Sequence, residues 1–246
     1  MKNILIFLFG VFSYLVALVG QIWFILYLSN LDTVGNTIYA PQHTSLYNAI
    51  LINTFLVLLF GLQHSVMARG WFKKRVNAVI PQSAERSMYV LLSGVVFILI
   101  CIYWQPIDGT LWHIENDIIK YILWGGFILG WIFSVVATFV INHFELFGLQ
   151  QVYHNLRNIE TKEIEFKEKF FYKFVRHPIQ LGVLIGLWIT PMMTYGHLLL
   201  SILFTLYIFI GLYYEEKDLV KELGDVYAAY KQRVGMMIPV SRKRNK

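Results

Sequence analysis

Apolar residues run through this chain in long unbroken blocks, with neither the alternation of half-buried strands nor the short periodic stretches of amphipathic helices. Six blocks hold no Asp, Glu, Lys or Arg: about Ile4 to Leu28, Leu46 to Met67, Ser87 to Trp104, Tyr121 to Asn142, Pro178 to Thr194 and His197 to Tyr214. A spanning helix needs roughly 20 consecutive apolar residues. The pattern therefore predicts an all-α fold, a polytopic bundle of six transmembrane helices. The last two blocks are short and share the turn Pro191–Gly196, which predicts a tight helical hairpin. The first block is too long for the core of a signal peptide and has no clear cleavage site, so it is expected to stay in the mature protein. Neither a repeat of solenoid length nor a low-complexity run interrupts the chain, and residues 1–246 are expected to form a single integral-membrane domain.

Composition agrees. Hydrophobic residues make up 57% and charged residues 15% of the 246 positions, with a mean hydropathy of +0.55. Soluble domains run near 45–50% and about 25% respectively, so a soluble, disordered or disulfide-stapled chain is excluded. The formal net charge of +6 acquires its meaning from position. Of the 21 lysines and arginines, all but Lys120 fall before the first block, in the second and fourth loops, or in the tail. The other loops are short and carry Asp32, Asp108, Glu115 and Asp117. Positive charge gathers on the cytoplasmic side, so both termini are expected inside, with a cytoplasmic helical tail. The same distribution orients the chain and argues against a nucleic-acid partner. It leaves the lipid bilayer as the expected surroundings and the oligomeric state open.

Polar chemistry collects at the inner ends of the spans. His64 and His143 close two of them, and His177 opens a third. Arg69, Arg86, Glu145, Arg176, Glu215 and Glu216 lie at the same depth. Ionisable groups near a membrane interior are costly and therefore mark function. His43, His113 and His197 fall on the outer side and read as interfacial. Cys101 lies in an apolar span as a small hydrophobe, and no ligand spacing predicts a metal site. The densest local pattern is Phe174-Val-Arg-His-Pro-Ile-Gln-Leu-Gly182. Pro178 suits the first turn of a helix, whose free N–H groups favour an anion, and Gly182 and Gly186 form a small face for a close helix neighbour. About thirty-five residues on, Tyr213-Tyr-Glu-Glu216 places acids where a helix end opposes them. Either that helix continues into the cytosol or the acids have a task, and the antiparallel hairpin would bring them to Arg176 and His177. Gly224 is a helix stop. Beyond it, Tyr227, Tyr230, Val234, Ile238 and Pro239 predict an interfacial helix.

Taken together, Arg176-His177-Pro178, Gly182, Glu215-Glu216, Gly224, Tyr227, Tyr230 and Pro239 resemble the C-terminal signature of small integral-membrane methyltransferases, such as the isoprenylcysteine carboxyl and phospholipid methyltransferases. The likeness covers roughly Phe174 to Val240. Many members have Tyr where this chain has Gln180. Farther upstream, Phe60-Gly-Leu-Gln-His64 through Arg69, Glu85-Arg-Ser-Met-Tyr89-Val and Asn142-His-Phe-Glu through Val152 resemble the bacterial methanethiol S-methyltransferases over nearly the whole chain. A related branch linked to nitrogen-oxide metabolism shares parts of these motifs.

The resemblance implies transfer of a methyl group from S-adenosylmethionine to methanethiol, giving dimethyl sulfide, at the cytoplasmic face of a bacterial inner membrane. It implies that Arg176, His177, Pro178, Gln180, Gly182, Glu215, Glu216, Tyr227 and Tyr230 form the cofactor-binding part, about 174–240. A thiol near pKa 8.5 is mostly protonated at neutral pH, so the reaction needs a base or a cation to raise the thiolate fraction. His64, with Arg86 or Tyr89 beside it, is the first candidate, and His143 the second. Sulfonium is already cationic and needs no metal. Two other readings compete: methyl transfer to a lipid amine or a prenylated cysteine, and a non-enzymatic small-solute membrane protein. The bare mid-span regions count against a conduction path.

Overall fold

A computed structural model describes residues 1–31, 36–160 and 168–239. Asp32, Lys162, Lys167, Val240 and the basic residues Arg242, Lys243, Arg244 and Lys246 lie outside the described residues.

The described chain is helical, in the order α1 (Lys2–Leu28), α2 (Leu46–Met67), α3 (Gly70–Asn77), α4 (Gln82–Tyr103), β1 (Thr110–His113), α5 (Asp117–Ile141), α6 (His143–Leu146), α7 (Leu149–Arg157), α8 (Pro178–Trp188), β2 (Met192–Thr194), α9 (Tyr195–Leu223) and α10 (Asp225–Arg233). Helices α1, α2, α4, α5 and α9 are long and apolar enough to cross a membrane, and they define a polytopic helical membrane protein. The apolar block at Pro178–Thr194 folds differently from a full span. Helix α8 stops after eleven residues, roughly 16 Å at 1.5 Å per residue. Pro191 lacks an N–H and pushes its predecessor towards extended backbone. The chain then enters β2, which pairs antiparallel with β1. Helix α9 starts at Tyr195 and runs nine residues past the apolar block, carrying Glu215 and Glu216 within it. Helix α4 likewise begins earlier than its block, so Glu85 and Arg86 lie on the helix itself.

Contacts divide the chain into two compact units. One holds α1 to α4, the β1–β2 pair, α6, α7 and the first turns of α9. Its helix α1 presents Leu5, Leu8, Phe12, Leu15, Val19, Ile22 and Leu26 outward, while Gly10, Ser13, Ala17 and Gly20 face inward. Small residues thus face protein along most of α1, as close helix packing in membranes requires, and Phe24, Tyr27 and Leu28 join them at its end. A Cβ on Gly20 would lie 2.5 Å from the Gly94 carbonyl oxygen of α4. In this unit His197 is fully buried, correcting its expected interfacial place. Tyr39 donates its phenol proton to the Met192 carbonyl at 3.0 Å and stands 2.9 Å from His197 Nδ1, which clasps the loop before α2 to the start of α9.

The other unit holds α5, α8, the rest of α9 and α10. Helices α5 and α8 meet through glycine: a Cβ on Gly182 would lie 2.6 Å from both the Gly130 oxygen and the Ser134 nitrogen.

Candidate active site

The second unit gathers its charge around one carboxylate. Val175, Arg176 and His177 precede Pro178, the first residue of α8, and these pair with the segment after α10. Val175 bridges Gly235 in parallel, and the Arg176 and His177 amides donate to the Gly235 and Met236 carbonyls at 2.9 and 3.2 Å. Arg176 Nε and Nη2 both reach Glu216 Oε1 at 2.6 Å. Its Nη1 donates to the Lys231 carbonyl at 3.1 Å and to the Val234 carbonyl. His177 Nε2 stands 3.2 Å from Glu216 Oε1, and Lys231 Nζ reaches Oε2 at 2.7 Å. Glu216 is 2% exposed and Arg176 9%. A buried charge survives only when paired and hydrogen-bonded, and here two cations and the His177 imidazole surround one acid. This reach past the apolar block explains why α9 carries an acid near its end.

Beside the cluster lies a cavity of about 760 Å³, lined by Arg176, Lys231, Phe209, Val220, Met236 and Met237 among others. That size lies within the range for small-molecule sites. Its walls are apolar and Arg176 and Lys231 supply the cations. Glu215, about 100° round the helix from Glu216, is exposed. Gln180 is half-buried and makes no hydrogen bond to the described residues. Gly182 is the contact with α5 described above. Tyr227 and Tyr230 are buried with Val234 against Leu219 and Leu223. Burial raises both phenols above the ordinary tyrosine range, so they remain neutral donors, and Tyr230 donates to the Tyr172 carbonyl at 2.6 Å.

The first unit brings together His64, Tyr89 and Arg86. His64 Nε2 lies 2.5 Å from the Tyr89 hydroxyl, and Nδ1 lies 3.2 Å from Ser93 Oγ. The imidazole stacks on Phe60, with ring centroids 5.1 Å apart. The Arg86 guanidinium sits 4.7 Å from the Tyr89 ring centroid, within cation–π range. Its Nε donates to the Leu146 carbonyl at 2.7 Å. The next residue, Ser87, donates to the Gly148 carbonyl at 3.3 Å. Arg86 therefore fastens the α6 segment to α4 while facing Tyr89. His143, on α6, is buried against Phe147 and pairs through Nε2 with the Tyr14 hydroxyl at 2.9 Å. Burial lowers its pKa, which favours the neutral imidazole.

Sequence reasoning missed Lys231, Ser93 and Tyr14. Ser93 was within reach of periodicity, because Arg86, Tyr89 and Ser93 stand at i, i+3 and i+7 on one helix face. Lys231 adjoins the Tyr227–Tyr230 motif, and a buried acid needing countercharge would have drawn attention to it. Tyr14 sits in an apolar span with no local signal.

The fold thus defines a polytopic helical membrane protein with a buried charged cluster and a separate Tyr–His chain. The chain belongs to the NnrU protein family, whose model matches residues 50–238. It is 42% identical to methanethiol S-methyltransferase 1 of Bradyrhizobium diazoefficiens over 96% of this chain and 82% of that one. It is also 42% identical to methanethiol S-methyltransferase of Mycobacterium tuberculosis, over 97% of this chain and 98% of that one. Identity with the Pseudomonas sp. methanethiol S-methyltransferase is 47% over 80% of this chain and 75% of that one. These relatives are methyltransferases by name, as the sequence motifs implied. No solved structure matches.

Proposed function

We propose that the protein transfers a methyl group from S-adenosylmethionine to methanethiol, forming dimethyl sulfide at the cytoplasmic face of a bacterial inner membrane. The observation that carries this reading is the kinship with methanethiol S-methyltransferases across nearly the whole chain. The residues present suit the methyl donor. A carboxylate and an adenosine need cations beside an apolar cavity, which is the lining that Arg176, Lys231, Met236, Met237 and Phe209 supply. When bound, S-adenosylmethionine supplies a methyl group already activated by a cationic sulfur.

In this reading Arg176 and Lys231 hold the donor's carboxylate, while Glu216 and His177 hold Arg176. Gln180 offers an uncommitted amide near the start of α8. His64, Tyr89 and Arg86 serve the acceptor, drawing the proton from a thiol that is mostly neutral at working pH. His143 lies in the same unit as a second, neutral imidazole. In the membrane, α8 with its extended continuation makes the sixth crossing and both termini lie inside, consistent with basic loops on one face.

The test uses membranes carrying the protein, supplied with S-adenosylmethionine and methanethiol. Dimethyl sulfide should accumulate in the headspace only when both are present. Methylation of membrane lipid with no dimethyl sulfide would overturn the assignment of the acceptor.

A further inference from the structure

Helix α3 turns most of its charge away from the protein. It lies between the end of α2 at Met67 and the start of α4 at Gln82, two helices long and apolar enough to cross a membrane. A short helix joining two such ends lies at a boundary of the bilayer. Residues 68–84 carry Arg69, Lys73, Lys74 and Arg75 and hold no Asp or Glu. One face of α3 is tied to the rest of its unit. Phe72 packs against the core of Ala17, Met67, Tyr89 and Val90, and Lys73 Nζ lies 3.9 Å from Glu85 Oε1 on α4. Trp71, Lys74 and Arg75 stand at i, i+3 and i+4 and share another face, and all three are exposed. The indole is held in place from two sides. The Arg75 guanidinium lies 5.3 Å from the Trp71 ring centroid, and Phe72 meets the indole edge-on at 5.7 Å. Trp71 nevertheless stays 53% exposed, and Val79, in the turn after α3, is 86% exposed.

We infer that α3 is an interfacial anchor for anionic phospholipid. Trp71 and Val79 enter the boundary between headgroups and acyl chains, and Lys74 and Arg75 meet the headgroup phosphates. Tryptophan concentrates at that boundary, and a helix with a basic face beside an aromatic one lies in its plane. Long cationic side chains lay their stems along apolar surface and extend their charges into the headgroup layer. Lipid is the occupant because it supplies both halves of the match. Its phosphate answers the cations, and its hydrocarbon answers Trp71 and Val79, whereas a free anion answers the cations alone. The anchor stands whether or not the protein transfers methyl groups. Through Phe72 and Lys73 it also braces the start of α4, the turn that carries Arg86 and Tyr89.

The experiment places a nitroxide label on full-length Val79→Cys protein; Cys101 is buried and escapes labelling, and labelled wild type serves as the blank. The protein is reconstituted in bilayers of phosphatidylcholine with or without phosphatidylglycerol. Power-saturation resonance then compares collisions of the label with oxygen, which dissolves in lipid, and with a water-soluble nickel chelate. With phosphatidylglycerol the label should meet oxygen and be shielded from nickel, and without it contact with nickel should rise. Each cation near an anionic surface contributes enough that adding Lys74→Gln and Arg75→Gln should lower the ratio of lipid to water contact about tenfold or more. Salt at about 1 M, which shortens the screening length to about 3 Å, should weaken the effect in protein with both cations intact and so tests the claim without a further variant. A label that meets nickel in every bilayer would overturn the anchor. Equal lipid contact in both bilayers and in the charge variant would overturn the recognition of anionic headgroups. Inorganic phosphate that reproduces the effect in phosphatidylcholine would give the cations to a free anion. Dipolar broadening between labels in place of lipid contact would give the face to a second copy of the chain, and either result would overturn the proposal.

Discussion

The two polar clusters solve the same problem in different ways. In the unit of α8 to α10, full charges are buried and made tolerable by number, with one carboxylate held by Arg176, Lys231 and His177. In the unit of α1 to α4, the Tyr89 hydroxyl, the His64 imidazole and the Ser93 hydroxyl stand in line, with the Arg86 guanidinium set against the Tyr89 ring. The first arrangement suits recognition of a charged ligand and fails abruptly when one partner is removed. The second holds no buried ion pair, so an isosteric change there leaves no charge without a partner. Removing a charge from each region should therefore give unequal results.

The largest effect is expected for Glu216→Ala. It leaves Arg176 and Lys231 facing each other without a counterion, and loss of one partner from a buried pair costs roughly 3–5 kcal/mol. Thermal unfolding in detergent should shift well below that of the wild type, and loss of no more than a few tenths of a kcal/mol would mean the cluster is solvated. Gly182→Val comes next. Overpacking typically costs about 1–3 kcal/mol, and a Cβ at Gly182 would meet α5 backbone at 2.6 Å; unchanged stability would show that α5 and α8 separate without cost. A third, smaller effect should appear in acid. Burial depresses the His143 pKa in the folded protein, so the unfolded chain binds its proton first. Stability from this residue is complete above the unfolded value near 6.5 and falls as pH drops below it towards the lowered folded value. His143→Gln should flatten that part of the stability curve relative to the wild type, and parallel curves would remove the effect from His143. Lys231→Gln should matter least for stability, about 1 kcal/mol or less, because the ammonium is 45% exposed. A loss comparable to that of Glu216→Ala would mean that the Lys231 pair is as protected as the Arg176 pair.

Long apolar blocks made most of this fold legible. Helix α2 coincides with its block at Leu46–Met67, and α1 differs only by two residues at its start. Where polar residues extend a helix beyond lipid, hydropathy is blind, so the start of α4 was not anticipated, whereas the stop at Gly224 marked the inner end of α9. The short α8 escaped for a related reason. Its block is uniformly apolar, and only Pro191 signals the change to extended backbone. Within the charged cluster, Arg176, His177 and Glu216 stood out because they interrupt apolar sequence. Lys231 lies in a polar tail where one lysine resembles another until Glu216 is seen to need it. His197 went the other way: its position in sequence resembles an interface, and Tyr39 from a distant segment packs against it.

Affinity for S-adenosylhomocysteine across a matched pair of variants tests the central division most directly. Titration calorimetry on purified wild type, Glu216→Gln and His64→Gln should give a dissociation constant for Glu216→Gln weaker by about tenfold or more, the equivalent of 1.4 kcal/mol. For His64→Gln it should stay within about twofold of the wild type. The reverse pattern, with affinity surviving at Glu216→Gln and lost at His64→Gln, would contradict the assignment of the charged cluster to the methyl donor and of the neutral chain to the thiol.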